Sequence, residues 1–205
     1  EKINEVMERR ILRFVVITIG SFYCQLFYVS AQTQVAAWTF DSTPAAPNTP
    51  TSITANLGEQ NGTATLYANG TDGSSTWITA TTGNELTTFS GTTTNDPRTA
   101  PLAGSALTLA NSSANGKTII IKYSMTNFKD PILSFATRGT STGFNSHQWA
   151  WSTDGAVFIN FGSNTAITGS TFTTQNLDLS SINFVDRAAT VYLKLTLTGA
   201  TTTSG

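Results

Sequence analysis

The sequence predicts an all-β domain built as a two-sheet antiparallel β-sandwich and preceded by a helical signal peptide. Three observations predict it. Threonine, whose branched β-carbon stiffens the side chain and suits a pleated surface, occurs 37 times after Ala31. Charged residues make up only 11% of the 205 residues, so the Lys, Glu and Arg that sustain exposed helices are scarce. Short runs with a period of two recur throughout the chain after Gln32, separated by Gly, Asn, Asp and Pro.

Residues 1–31 read as a signal peptide with upstream residues, and residues 32–205 as the β-sandwich domain. From Met7 the chain carries Arg9, Arg10 and Arg13, then an apolar stretch over 14–29, then Val29, Ser30 and Ala31. These are the three parts of an export signal, with cleavage expected between Ala31 and Gln32. Thr18, Gly20, Ser21 and Gln25 dilute the stretch, which falls short of the roughly 20 apolar residues of a spanning helix. A membrane anchor is therefore the weaker reading, and the expected address is secreted or cell-surface with no membrane contact after cleavage. Cys24, the only cysteine, leaves with the leader. The domain then has no thiol for a disulfide, a metal or nucleophilic attack.

Along the domain, residues 35–40 read as a first strand, and Pro44, Pro47 and Pro50 as the loop after it, because proline cannot donate to a ladder. Residues 52–57, 63–68 and 76–79 are short strands set apart by the turn-forming segments 58–62 and 69–73. A strand over 86–90 precedes a polar loop, 91–104, which is a candidate ligand loop. Stronger strands follow at 106–110, 117–125, 131–138 and 143–152. Residues 157–161 pair back onto the last of these, because Asp154-Gly155 between them is a tight-hairpin signal. After 176–179 comes the clearest strand, 188–198, with Val191, Leu193, Leu195 and Leu197 on one face and Tyr192, Lys194, Thr196 and Thr198 on the other. About ten short strands at regular spacing predict two packed sheets, with a jelly roll as the expected winding.

Charge sets limits on partners. The net charge is −1 and the acids and bases after Gln32 are spread singly, which removes the electrostatic basis for nucleic-acid binding. His147, Trp149 and Trp151 alternate and so share one strand face. One reading is a carbohydrate platform, with rings stacking on sugar C–H surfaces and His147 holding hydroxyls. The other, which is the stronger, is that both tryptophans fill the core. Asp154 is a possible calcium oxygen, but six to eight oxygens are needed, and neither Asp41 nor Asp178 is spaced to join it. Beyond possible calcium, no cofactor is expected. With one histidine, no cysteine after Gln32, no Gly-x-Ser-x-Gly elbow and no paired acids, the residues after Gln32 hold no catalytic set. Asn61, Asn69 and Asn111 stand in N-glycosylation patterns, read as turn residues.

Ala37-Trp38-Thr39-Phe40, the Gly143-Phe144 strand leading into Trp151-Ser-Thr-Asp-Gly155 with Phe158, and residues 191–200 resemble jelly-roll modules of secreted multidomain surface proteins from gliding-type Gram-negative bacteria, many exported by the type IX system. In those modules a further short strand and a sorting module usually follow. The resemblance therefore implies a last strand missing after residue 205. The motifs say little about activity, because jelly rolls host many functions; the first expectation is a non-catalytic part for adhesion or binding of polysaccharide or glycan within a larger surface protein. The rivals are an ancillary N-terminal domain of an extracellular hydrolase or nuclease, and a ligand-free spacer.

Overall fold

The computed structural model describes residues 32–68, 76–90, 97, 104–165 and 169–203, with 163–165 described through their backbone. The expected leader with Ala31 and Cys24, most of the 91–104 loop, and Asn69 lie outside these residues, whereas Gln32 lies within them and is exposed. Among the described residues, the regular structure is ten strands and a single 3₁₀ turn, Ser112–Ala114. The strands are β1 (Ser52–Thr54), β2 (Thr65–Ala68), β3 (Leu86–Phe89), β4 (Ala106–Leu109), β5 (Thr118–Tyr123), β6 (Ile132–Thr137), β7 (Ser146–Ser152), β8 (Ile159–Thr165), β9 (Thr173–Asp178) and β10 (Val191–Thr198). The all-β prediction holds, and every ladder is antiparallel.

Six strands form the large sheet in the order β1-β2-β5-β10-β7-β8, and two short ladders, β3-β4 and β6-β9, form the second layer. The pairing is nested. β7 pairs with β8, β6 with β9 and β5 with β10. This is a long hairpin rolled so that successive pairs alternate between layers, the jelly-roll winding, with one nested pair fewer than the usual form of about eight strands. The turn after β7 leads directly into β8, where a full jelly roll would first add another hairpin to the second layer.

The period of two in β10 decides which face is core. Val191, Leu193, Leu195 and Leu197 are buried, and the residues between them are half-buried on the outer face. Leu193 lies opposite Ile121 of β5 and Trp151 of β7, and Leu195 lies opposite Ile119 and Trp149, so three adjacent strands present one apolar surface. Burying each such side chain contributes about 1.5–3 kcal/mol. Phe135 of β6 closes on this surface, its ring 5.7 Å from Trp149. At the junction of the two small ladders, the Arg138 guanidinium lies 4.2 Å from the Phe89 ring and 5.2 Å from that of Phe172.

Two expected strands are not strands. Residues 35–40 make only an isolated bridge, Ala37 with Leu57. Phe40 then takes a φ of 59°, a left-handed conformation that ends the pleat. Trp38 is instead held by its indole N–H, which donates to the Ile53 carbonyl at 2.9 Å. Residues 76–79 have no ladder because Trp77 is drawn into the core and its indole donates to the Thr118 carbonyl at 3.1 Å. β9 starts earlier than expected, at Thr173, and β8 ends later, at Thr165, across an irregularity in register beside His147 and Trp149.

Glu85, just before β3, is 1% exposed and fully engaged. Its carboxylate accepts from the Lys117 ammonium, from the Ile78 N–H at 2.9 Å and from the Ser113 hydroxyl at 2.6 Å. Lys117 also donates to the Thr76 carbonyl at 2.6 Å. Burial pushes the Glu85 pKa up, but the Lys117, Ser113 and Ile78 hydrogen bonds outweigh it and hold the carboxyl below its ordinary 4.5. A carboxyl depressed on folding contributes stability above its unfolded pKa and loses it as the pH falls through the folded value. Lys117→Met leaves the charge buried alone and is expected to cost about 3–5 kcal/mol at neutral pH. Acid neutralises the orphaned carboxyl, so the gap between wild type and variant in urea unfolding should narrow towards about pH 4; a constant gap would contradict this account.

Candidate functional site

β7 carries the predicted site residues, and the structure places all three inward. Trp149 is 6% exposed, Trp151 9% and His147 9%. The carbohydrate platform made of His147, Trp149 and Trp151 is therefore corrected to core: the face they share is the one that meets Leu193, Leu195 and Leu197 across the ladder. His147 donates from Nε2 to the Phe144 carbonyl at 3.2 Å. Burial lowers its pKa against that hydrogen bond, which favours the neutral ring. An imidazole so enclosed has no access to a substrate.

One of the three nevertheless touches the surface indirectly. The exposed ring of Phe184 stacks on Trp151, with centroids 6.0 Å apart and planes inclined by 17°. Phe184 belongs to the β9–β10 connection, which winds with hydrogen bonds from residue i+3 back to residue i: Ile182 to Leu179, Val185 to Ile182, and Ala188 to Val185. At that spacing side chains three apart fall on one side. Leu179 and Val185 are fully buried there, and Phe184 is turned out to 79% exposure.

Around this stack lies a notch of about 220 Å³ lined by Trp151, Ser152, Thr153, Asp154, Val157, Ile159 and Phe184. Val157 is 68% exposed, and Ile159, opposite Trp151 on the core-facing side of β8, is 51% exposed. The reason is topological. No strand among the described residues roofs this end of the large sheet, where the missing nested pair of the jelly roll would lie.

Asp154 forms the polar wall. Its Oδ1 accepts from the Ser152 hydroxyl at 2.8 Å, the Ala156 N–H at 2.8 Å and the Val157 N–H at 3.0 Å. The Ser152 hydroxyl in turn accepts from the Gly155 N–H at 2.9 Å. Gly155 needs its freedom: its φ is 73°, and a side chain there would strike the Tyr192 ring. Hydrogen bonds from Val157, Ala156 and Ser152 hold the Asp154 pKa down to about 2, so the carboxylate is charged at any ordinary pH. Oδ2 accepts nothing from the described residues.

The structure thus brings Trp151 and Asp154 together and leaves His147 and Trp149 out. Sequence reasoning missed Phe184, Val157 and Ile159. The only legible signal was a large aromatic in a polar segment, Ser180-Ser-Ile-Asn-Phe184. For calcium, Asp154 has only Oδ2 to offer. Asp41 spends Oδ1 on the Ser105 N–H at 2.8 Å and Asp178 on the Ser180 N–H at 2.9 Å. No three His, Cys, Asp or Glu side chains gather into a metal-binding group among the described residues. Asn111 is buried, with its Oδ1 accepting from the Ser113 N–H at 3.1 Å.

A larger groove, about 430 Å³, runs past Gln60, Lys122, Tyr123 and Phe128. Its rings are half-buried against the core, and the Gln60 amide is spent on the Ser124 backbone, accepting from its N–H at 2.8 Å. No known family, curated protein or solved structure matches the chain.

Core and notch respond differently to truncation. Trp149→Ala should cost about 3–5 kcal/mol in chemical denaturation, whereas Phe184→Ala, which empties no cavity, should stay within about 0.5 kcal/mol of wild type. Equal losses would mean that Phe184 is structural.

Proposed function

We propose that the chain is an extracellular, non-catalytic β-sandwich module that binds carbohydrate as an adhesive part of a larger cell-surface or secreted protein. One observation carries the reading: an aromatic ring left 79% exposed is stacked on a buried tryptophan, beside a carboxylate oxygen with no hydrogen-bond partner among the described residues. An exposed phenylalanine free to rotate would lose entropy on capturing a sugar. The stack on Trp151 favours one orientation of the ring, which lowers that cost and offers a pyranose face a partly prepared surface. Thr153 and Asp154 stand at the rim for the hydroxyls. Binding is preferred to hydrolysis because the notch holds a single carboxyl, and cleavage of a glycosidic bond takes two.

The test is retention of the purified chain on neutral polysaccharides (β-glucan, mannan, xylan and chitin), followed by calorimetry on whichever is held. Phe184→Ala should weaken binding by about tenfold while near-ultraviolet circular dichroism stays unchanged. Retention on none of the four, or unaltered affinity in the variant, removes the proposal.

A further inference from the structure

The notch has a chemical asymmetry that bears on which sugars it takes. Its lining contains one charged side chain, Asp154, and neither lysine nor arginine. The other walls are the apolar Trp151, Val157, Ile159 and Phe184, with the hydroxyls of Ser152 and Thr153. Ser152 is 2% exposed and donates its proton to Asp154 Oδ1 at 2.8 Å. It therefore has no donor left for a ligand. The notch thus presents the Asp154 carboxylate, which only accepts, and the neutral Thr153 hydroxyl, with no lysine or arginine in the lining to receive a second negative charge.

We infer, resting on the carbohydrate-binding reading above, that this notch selects uncharged or amino-bearing glycans and rejects uronate- or sulfate-bearing ones. A neutral sugar offers hydroxyl protons to Oδ2, and a protonated amine offers a charge-assisted hydrogen bond. An acidic sugar brings a like charge next to Asp154, and like charges a few ångströms apart repel even in water, with no cation in the lining to offset them. The Asp154 carboxylate stays charged down to about pH 2, so the discrimination persists across the working range of an extracellular protein.

Binding of the full chain to hydroxyethyl cellulose, to chitosan oligomers and to polygalacturonate, measured at one ionic strength, tests this. The uncharged and amino-bearing probes should bind on the order of tenfold more tightly than the uronate. Asp154→Asn preserves the Oδ1 acceptor and hence the turn, but removes the charge, so it should bring the neutral and uronate affinities to within about twofold and lose the preference for chitosan. Equal wild-type affinities for all three probes, or an unchanged preference in Asp154→Asn, overturns the selectivity while leaving carbohydrate binding standing. Binding of none of the three overturns the selectivity, and overturns carbohydrate binding as well when β-glucan, mannan, xylan and chitin are not retained either.

Discussion

The alternation of Val191, Leu193, Leu195 and Leu197 along β10 is the constraint on which the rest of the domain depends. β10 lies between β5 and β7 at the middle of the large sheet. Shifting its register by one residue would turn four aliphatic side chains to water and Lys194 inward. The ladder pairs of β10 place Ile119, Ile121, Trp149 and Trp151 on the same face as these leucines. The position of the tryptophans in the core is thus a consequence of β10. Their own alternation does not distinguish a platform from a core.

Nested pairing explains where this core stops. A rolled hairpin covers its own large sheet only as far as its inner pairs extend, and here the tight Asp154-Gly155 turn ends the roll early. Ile159 faces the core side of β8 but is half in water. The β9–β10 connection supplies a partial roof, with Leu179 and Val185 anchored in the core and Phe184 lying over Trp151. Exposed apolar side chains gathered at one place mark an interaction surface more reliably than scattered ones. Here the cluster arises at a definite structural cause, and the hairpin turn that shortens the roll also contributes the Asp154 carboxylate.

A domain so poor in charge still buries an ion pair, Glu85 with Lys117. Glu85 and Lys117 precede β3 and β5 and tie the second layer to the first, with Trp77 packed beneath the ammonium at 5.8 Å. Every acceptor position used on Glu85 is filled from a different segment: Ile78, Ser113 and Lys117. Such a pair specifies one arrangement of those segments, because any other leaves a charge desolvated without compensation.

The sequence alone determined the all-β class, most of the strands from Ala106 onward, the Asp154-Gly155 hairpin and the inward face of β10. These rest on local properties: β-branched residues, a period of two and turn chemistry, all readable within a few neighbouring positions. Residues 35–40 and 76–79 misled because Trp38 and Trp77 answer to partners fifteen and forty-one positions away, at Ile53 and Thr118. Only the tertiary structure decided that His147 and Trp149 are enclosed, that Glu85 meets Lys117, and that Phe184 lies on Trp151 next to Asp154. Burial and encounter are set by which strands are roofed and which connections cross over them. Those properties belong to the whole winding of the chain and leave no periodic mark in any single segment.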